Sequence, residues 1–183
     1  MADQEGGFSP QTIIDHLKAN NVTHVVWLPD SETNFLYVLL QEEPSLDLIA
    51  VSREGQAFST ASGLSVGGAK PVILIQNTGF LDSINAVRAV GVEYDMPICL
   101  MVGLLEKAPG EAPSEARNYG VRIVEPILDA MGIAHALIET EGDVALIGPA
   151  IEDAYAASHP TALLIGQSPA AEQRHDEAQR MPG

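Results

Sequence analysis

Six short apolar runs, at 22–28, 48–51, 72–76, 97–102, 134–138 and 160–165, alternate with stretches of helical spacing from one end of the chain to the other. No other feature constrains the fold as strongly. The runs have the length and branching of strands buried on both faces. Strand and helix in regular succession call for a mostly parallel sheet, because parallel neighbours need a crossover and a helix supplies it.

The helical stretches are 10–20, opened by Ser9 with Pro10 at the first helical position, then 34–41, 56–69, 82–92, 123–131 and 143–158. Pro109, Gly110 and Pro113 make 103–118 a long loop, and Asn77-Thr78-Gly79 reads as a turn into the helix that follows. The predicted fold class is α/β: a flavodoxin-like three-layer α/β/α sandwich on a sheet of about six strands. At 183 residues the chain suits one domain, placed at 8–168. The segment 169–183 lacks branched aliphatics and is expected to be a flexible tail.

Composition excludes several classes of function. The chain has 9 Lys and Arg against 25 Asp and Glu, a formal charge of −16, and no cationic cluster, so nucleic-acid binding is not expected. No export signal opens the sequence and no apolar run reaches the ~18 residues of a membrane span, so a cytoplasmic protein without membrane contact is expected. The single cysteine, Cys99, sits in a buried-strand pattern with nothing basic beside it and reads as core. His16, His24, His135, His159 and His175 lack ligand spacing, and no metal site is expected. There is no GxGxxG, GxxxxGK[ST], HExxH, paired CxxC or GxSxG sequence.

In a parallel sheet the ligand crevice lies beyond the carboxyl ends of the strands. Polar loops follow three of those ends: one holds Asp30 and Ser31, the next holds Arg53 and Glu54, and the third holds Gln76, Asn77, Thr78 and Gly79. Glu54 follows the strand at 48–51 directly and precedes a helix rich in Ala, Ser and Gly. A carboxylate between apolar elements at such a junction suits general acid/base work. Helix-starting Glu side chains are also favoured by the macrodipole without further function.

The order of Leu28-Pro29-Asp30-Ser31, Arg53-Glu54-Gly55-Gln56-Ala57, Ile75-Gln76-Asn77-Thr78-Gly79 with Ser83-Ile84-Asn85, and Tyr94-Asp95-Met96-Pro97 resembles the pyrimidine-binding domain of thiamine-diphosphate-dependent 2-oxoacid decarboxylases. Within that family the likeness is to sulfopyruvate decarboxylase α subunits and the matching half of phosphonopyruvate decarboxylases. It covers roughly residues 10–167. The resemblance implies that Glu54 hydrogen-bonds a ring nitrogen of the cofactor's aminopyrimidine and favours its imino tautomer. It also implies that Asn77, Thr78 and Gly79 border the cofactor, and that Asp30, Ser31 and Gln76 border a small 2-oxoacid such as 3-sulfopyruvate, which loses CO2 to give an aldehyde. Full-length relatives bind Mg2+ and the diphosphate through a GDG sequence with a downstream Asn. Here the only Gly-Asp is Gly142-Asp143, followed by Val144. The resemblance therefore implies a diphosphate-binding β subunit carrying GDG and Asn, in an α2β2 or larger assembly.

The departures from the family pattern lie where substrate would sit. Leu81 and Asp82 stand where relatives have Gly and usually Asn, and Leu104-Leu105-Glu106-Lys107 replaces a stretch with an Arg-Gly pair. A lost arginine weakens the expectation of a sulfonate or phosphonate substrate unless Lys107, Arg117 or a partner residue compensates. The alternatives are phosphonopyruvate, a less charged 2-oxoacid in a decarboxylase or carboligase, or a non-catalytic flavodoxin-like binding or regulatory module.

Overall fold

The computed structural model describes residues 8–166. The expected tail at 169–183 lies outside them. Among the described residues, six strands form one sheet in the order β2-β1-β3-β4-β6-β5: β1 His24–Trp27, β2 Asp47–Ala50, β3 Pro71–Gln76, β4 Cys99–Gly103, β5 Ala134–Ile138 and β6 Thr161–Ile165. Every pairing is parallel. The α/β sandwich read from the alternation is the observed architecture, with a sheet that is parallel throughout.

One face carries helices α1 Pro10–Ala19 and α2 Tyr37–Glu42, and later α8 Ile147–Ala157. Their Ile13, Leu17, Leu40 and Ile151 pack with Val25, Trp27, Leu74 and Met101. The other face carries α3 Glu54–Val66, α4 Asn77–Asp82, α5 Ile84–Ala86, α6 Tyr119–Arg122 and α7 Val124–Ala130. There Phe58, Phe80 and Leu128 pack with Val26, Ile73, Leu100 and Val102. Successive residues of the central strands thus enter opposite cores, which is why the runs are apolar without alternation. Cys99 belongs to the first core, and burial pushes its thiol up to about 12, far from a reactive thiolate.

The register creates a step at the carboxyl edge. Trp27, the last residue of β1, pairs with both Ala50 and Leu74, whereas β3 continues to Gln76, which pairs with Gly103. The β2–β1 corner therefore ends two residues short of β3 and β4 (76 − 74), roughly 7 Å at strand rise. Handed crossovers send the β1–β2 and β2–β3 connections to opposite faces, so the step coincides with a switch point between β1 and β3.

Several helices differ from the sequence reading, and each difference has a local cause. Asn77-Thr78-Gly79 is the first turn of α4 rather than a loop, and the expected helix at 82–92 is interrupted at Ser83 and widens into a π-helical segment at Val87–Glu93. The helix expected at 123–131 starts at Tyr119 and breaks at Ile123. Pro126 explains the break, since its ring opposes the carbonyl of Arg122 four residues earlier and it has no N–H to give. Pro149 acts alike near the start of α8, which is preceded by a 3-10 turn at Asp143–Leu146. Among the described residues, no helix is long and apolar enough to cross a membrane.

Candidate active site

Glu54 is the first residue of α3, directly after Arg53 in extended conformation, so the end of β2 aims it at the step in the sheet edge. Its carboxylate lies on Gly79 of α4. A Cβ added at Gly79 would stand 2.3 Å from Glu54 Cγ and 2.5 Å from Oε1. Gly79 has no positive φ, so close approach rather than backbone freedom calls for glycine here. This explains why a Gly that reads as a turn signal sits inside a helix.

Asp30 occupies the loop after β1. Its Oδ1 accepts the N–H groups of Glu32 and Thr33, both at 2.8 Å, and its Oδ2 accepts the Thr33 hydroxyl at 2.7 Å. The indole N–H of Trp27 donates to Thr33 Oγ1 at 2.9 Å, which extends the chain of hydrogen bonds from the core of β1 to the loop. Burial, opposed by the Thr33 and Glu32 donors and reinforced by the Glu54 charge, raises the Asp30 carboxyl above the ordinary aspartate range. Asp30 and Glu54 are thus two carboxylates within electrostatic reach at one edge.

The loops after β3 and β4 close the ring. Asn77 is fully buried, and its Oδ1 accepts the Leu105 N–H at 2.9 Å. Its Nδ2 is buried without a hydrogen-bond partner among the described residues. The Asn118 amide donates to Leu105 O at 3.2 Å and its Oδ1 caps α6 through Gly120 N at 2.9 Å. Gly103, at the end of β4, leaves room for Glu32 and Thr33, whose side chains would stand 3.0 and 3.2 Å from an added Cβ.

The sequence-predicted residues therefore fall at one end of the sheet, in different states. Glu54 touches Gly79 and acts electrostatically on Asp30, while Asn77 shares the first turn of α4 with Gly79 and hydrogen-bonds Leu105. Ser31 and Thr78 are exposed, and the Gln76 amide donates to the Thr78 hydroxyl rather than into the loop network. Thr33 and Asn118 were missed. The Asp30-x-x-Thr33 spacing is a side-chain turn signal that could have found the first, whereas nothing local announces the tie between Asn118 and Leu105. Lys107, weighed as an anion binder, is buried in an ion pair with Glu139 and also donates to Ala108 O at 3.1 Å.

A cleft of about 950 Å3 opens beside the first turn of α3, lined by Ile49, Arg53, Gln56, Ser59, Asp82 and Ser83 among others. Glu54 does not line it. Arg53 Nε and Asp82 Oδ2 stand 3.4 Å apart at this cleft, both exposed, and the buried Ser83 Oγ has no hydrogen-bond partner among the described residues. No group of His, Cys, Asp and Glu among the described residues is placed to hold a metal ion. The carboxylates of Glu54 and Asp30 suit a basic heterocycle, whereas the Asn77 amide nitrogen is enclosed against Gly120 of α6. These groups do not suit a diphosphate, which needs clustered cations or backbone N–H groups.

Residues 10–104 match the thiamine pyrophosphate enzyme family in its N-terminal TPP binding domain. The chain is 30% identical over 158 residues to a sulfopyruvate decarboxylase subunit alpha of Methanocaldococcus jannaschii, covering 84% of this chain and 90% of that one. It is 24% identical over 160 residues to a sulfopyruvate decarboxylase of Methanosarcina acetivorans, covering 85% of this chain and 39% of the relative. A sulfopyruvate decarboxylase subunit alpha of Methanococcus maripaludis is 28% identical over 98 residues, 51% of this chain and 59% of its own length.

Proposed function

The chain belongs to the thiamine pyrophosphate enzymes, as an N-terminal TPP binding domain, and on that premise we propose that it is the α subunit of a thiamine-diphosphate-dependent decarboxylase of 3-sulfopyruvate. Residues 8–168 form its pyrimidine-binding domain. The observation that carries the reading is the seating of the Glu54 carboxylate on Gly79 at the switch point of the sheet.

The bound cofactor supplies an electron sink that lets a 2-oxoacid lose CO2. Glu54 holds a proton against a ring nitrogen of the aminopyrimidine through a carboxylate oxygen, and Gly79 keeps that oxygen in place by offering no side chain. Asn77 and Thr78 would border the same ring from the first turn of α4. Asp30, kept more basic by burial and by Glu54, holds or yields a proton on the substrate side, with Ser31 and Gln76 beside it. The loop after β4, tied to Asn77, shields the crevice from water.

Among the described residues no donor set for the diphosphate stands at this edge, so a partner with GDG and a downstream Asn takes the diphosphate and Mg2+, in an α2β2 or larger assembly. The cleft beside α3, with its small residues and unpartnered Ser83 hydroxyl, is the surface for that partner. Decarboxylation of a less charged 2-oxoacid is the second reading, favoured by the engagement of Lys107 with Glu139. The test is CO2 release from 3-sulfopyruvate and a panel of 2-oxoacids by the chain alone and with its partner, thiamine diphosphate and Mg2+. Activity is expected only in the complex. Activity of the rigorously purified chain alone, or none of the complex on any 2-oxoacid, would overturn the reading.

A further inference from the structure

We propose that Arg117 is the residue of this chain that recognises the distal oxyanion of the substrate, a sulfonate on the carbon chain of the 2-oxoacid; this rests on the decarboxylase reading above. Arg117 lines a cavity of about 530 Å3 with Glu106 and Asn118. That cavity belongs to the active edge. Asn118 donates to Leu105 O, Leu105 N donates to Asn77, and Asn77 opens the helix whose Gly79 carries the Glu54 carboxylate.

The other cations on this side of the sheet are engaged. Lys107 is buried against Glu139, and Arg53 faces Asp82 in the separate cleft. Arg122 Nη1 donates to Ala116 O at 2.8 Å and to Arg117 O at 3.1 Å, and its guanidinium lies 5.1 Å from the Tyr119 ring centroid. Arg117 differs from all three. Its backbone is gripped by Arg122, while its exposed side chain makes no hydrogen bond or ion pair among the described residues.

A guanidinium on a fixed backbone, free to point, offers paired donors to a tetrahedral oxyanion. The need for one is plain, because the edge presents Asp30, Glu54 and Glu106 to a substrate that carries two negative charges. Glu106 shares the cavity and weakens anion binding by repulsion, so specificity for the sulfonate depends on Arg117 outweighing it.

The probe is 3-sulfopropanoate, a sulfonate without the reactive carbonyl, with propanoate as its uncharged-tail counterpart, titrated calorimetrically into the complex of this chain with its partner at fixed salt. Arg117→Gln should raise the Kd of 3-sulfopropanoate by about ten- to a hundredfold, the loss of a charge-assisted pair, and Glu106→Gln should lower it. Propanoate should discriminate little between the forms. In turnover, Arg117→Gln should lower the preference for 3-sulfopyruvate over pyruvate by a similar factor. If the wild-type complex does not bind the probe, or binds it no better than the Arg117→Gln complex, the assignment is overturned. If the probe binds through Arg117 but no 2-oxoacid releases CO2, the anion site stands and the decarboxylase reading falls. If 3-sulfopyruvate turns over with unchanged KM in the variant, the reverse holds.

Discussion

Two aspartates at the same edge of the sheet make the same hydrogen bonds and end in opposite states. Asp143, after β5, accepts the N–H groups of Glu139 and Thr140 and the Thr140 hydroxyl. Asp30, after β1, accepts two N–H groups and a threonine hydroxyl in the same way. At Asp143 burial is outweighed by these donors and the carboxyl lies below its ordinary range, while at Asp30 burial wins, Glu54 adds repulsion and the carboxyl lies above it. The surroundings differ first in burial, which is deep at Asp30 and slight at Asp143, and then in the charges nearby. Near Asp143 the β4 and β5 loops are joined across the end of β6 by the buried Lys107–Glu139 pair, which fills that part of the edge with matched charge. Near Asp30, the step between β1 and β3 brings the Asp30 and Glu54 carboxylates within electrostatic reach of each other, and neither has a salt-bridge partner among the described residues. Like charges held together at one end and a matched ion pair at the other agree with the proposal above, in which the Asp30–Glu54 end takes a ligand that is basic or brings protons.

The largest effect should come from breaking the open end. Glu54→Gln keeps the shape and removes the proton acceptor, so kcat of the assembled, cofactor-saturated complex should fall by about a hundred- to ten-thousandfold. Retention of most of the rate would remove Glu54 from the chemistry. Gly79→Ala should cost about a hundredfold with Glu54 unchanged, because its Cβ must push the carboxylate aside. Circular dichroism checks that both variants fold.

At the closed end the expected loss is in stability, not chemistry. Lys107→Met leaves the Glu139 carboxylate buried without its cation and should lower unfolding free energy by about 3 kcal/mol, read from urea midpoints near neutral pH. The double variant Lys107→Met with Glu139→Leu should recover most of that loss. A stable Lys107→Met protein with no activity would show that this end too is reserved for a ligand, and the contrast between the two ends would fail.

The aspartates themselves give a smaller, signed effect. Because the folded pKa of Asp143 is lowered, its contribution is present above the unfolded value of 3.8 and is lost as pH falls through the folded pKa. Asp143→Asn should therefore cost about 0.5 kcal/mol or less at neutral pH, because solvent screens this little-buried carboxylate, and almost nothing in acid. Asp30 has the opposite sign: its contribution is present below 3.8 and is lost as pH rises through the raised folded pKa. Relative to Asp30→Asn, the wild type should therefore lose stability with rising pH in that window. Parallel pH profiles for the two variants would break the comparison.

The sequence alone reveals much of this edge because its main determinants are local. Branched apolar runs mark strands buried on both faces, Cys99 falls inside one of them, and Glu54 stands where a strand gives way to a helix. What escapes is set by contacts distant along the chain. Lys107 and Glu139 are 32 residues apart and the pairing of both β4 and β5 with β6 brings them together. Gly79 reads as a turn residue until the Glu54 side chain is seen to occupy the space of its missing Cβ. The step between β1 and β3 comes from register, which no apolar pattern announces in strands buried on both faces. Pro126 and Pro149 signal their helix breaks in the sequence, and their positions were open to reading.

Two glycines on facing helices sharpen the contrast by the smallest measure. Gly79 cannot accept a methyl group because Glu54 fills the space, whereas a Cβ at Gly63, on the exposed face of α3, meets nothing within 4 Å. Helix propensity alone then predicts that Gly63→Ala stabilises the isolated chain by about 0.4–1 kcal/mol, since the unfolded chain loses freedom and the folded one loses no contact. On the proposed assembly, a glycine in mid-helix at that cost is accounted for by close approach of a partner backbone to the small-residue face of α3. The same substitution should therefore weaken assembly with the diphosphate-binding partner while raising the melting temperature of the chain alone. Stabilisation with assembly unchanged would leave the fold as described and move the partner surface off α3.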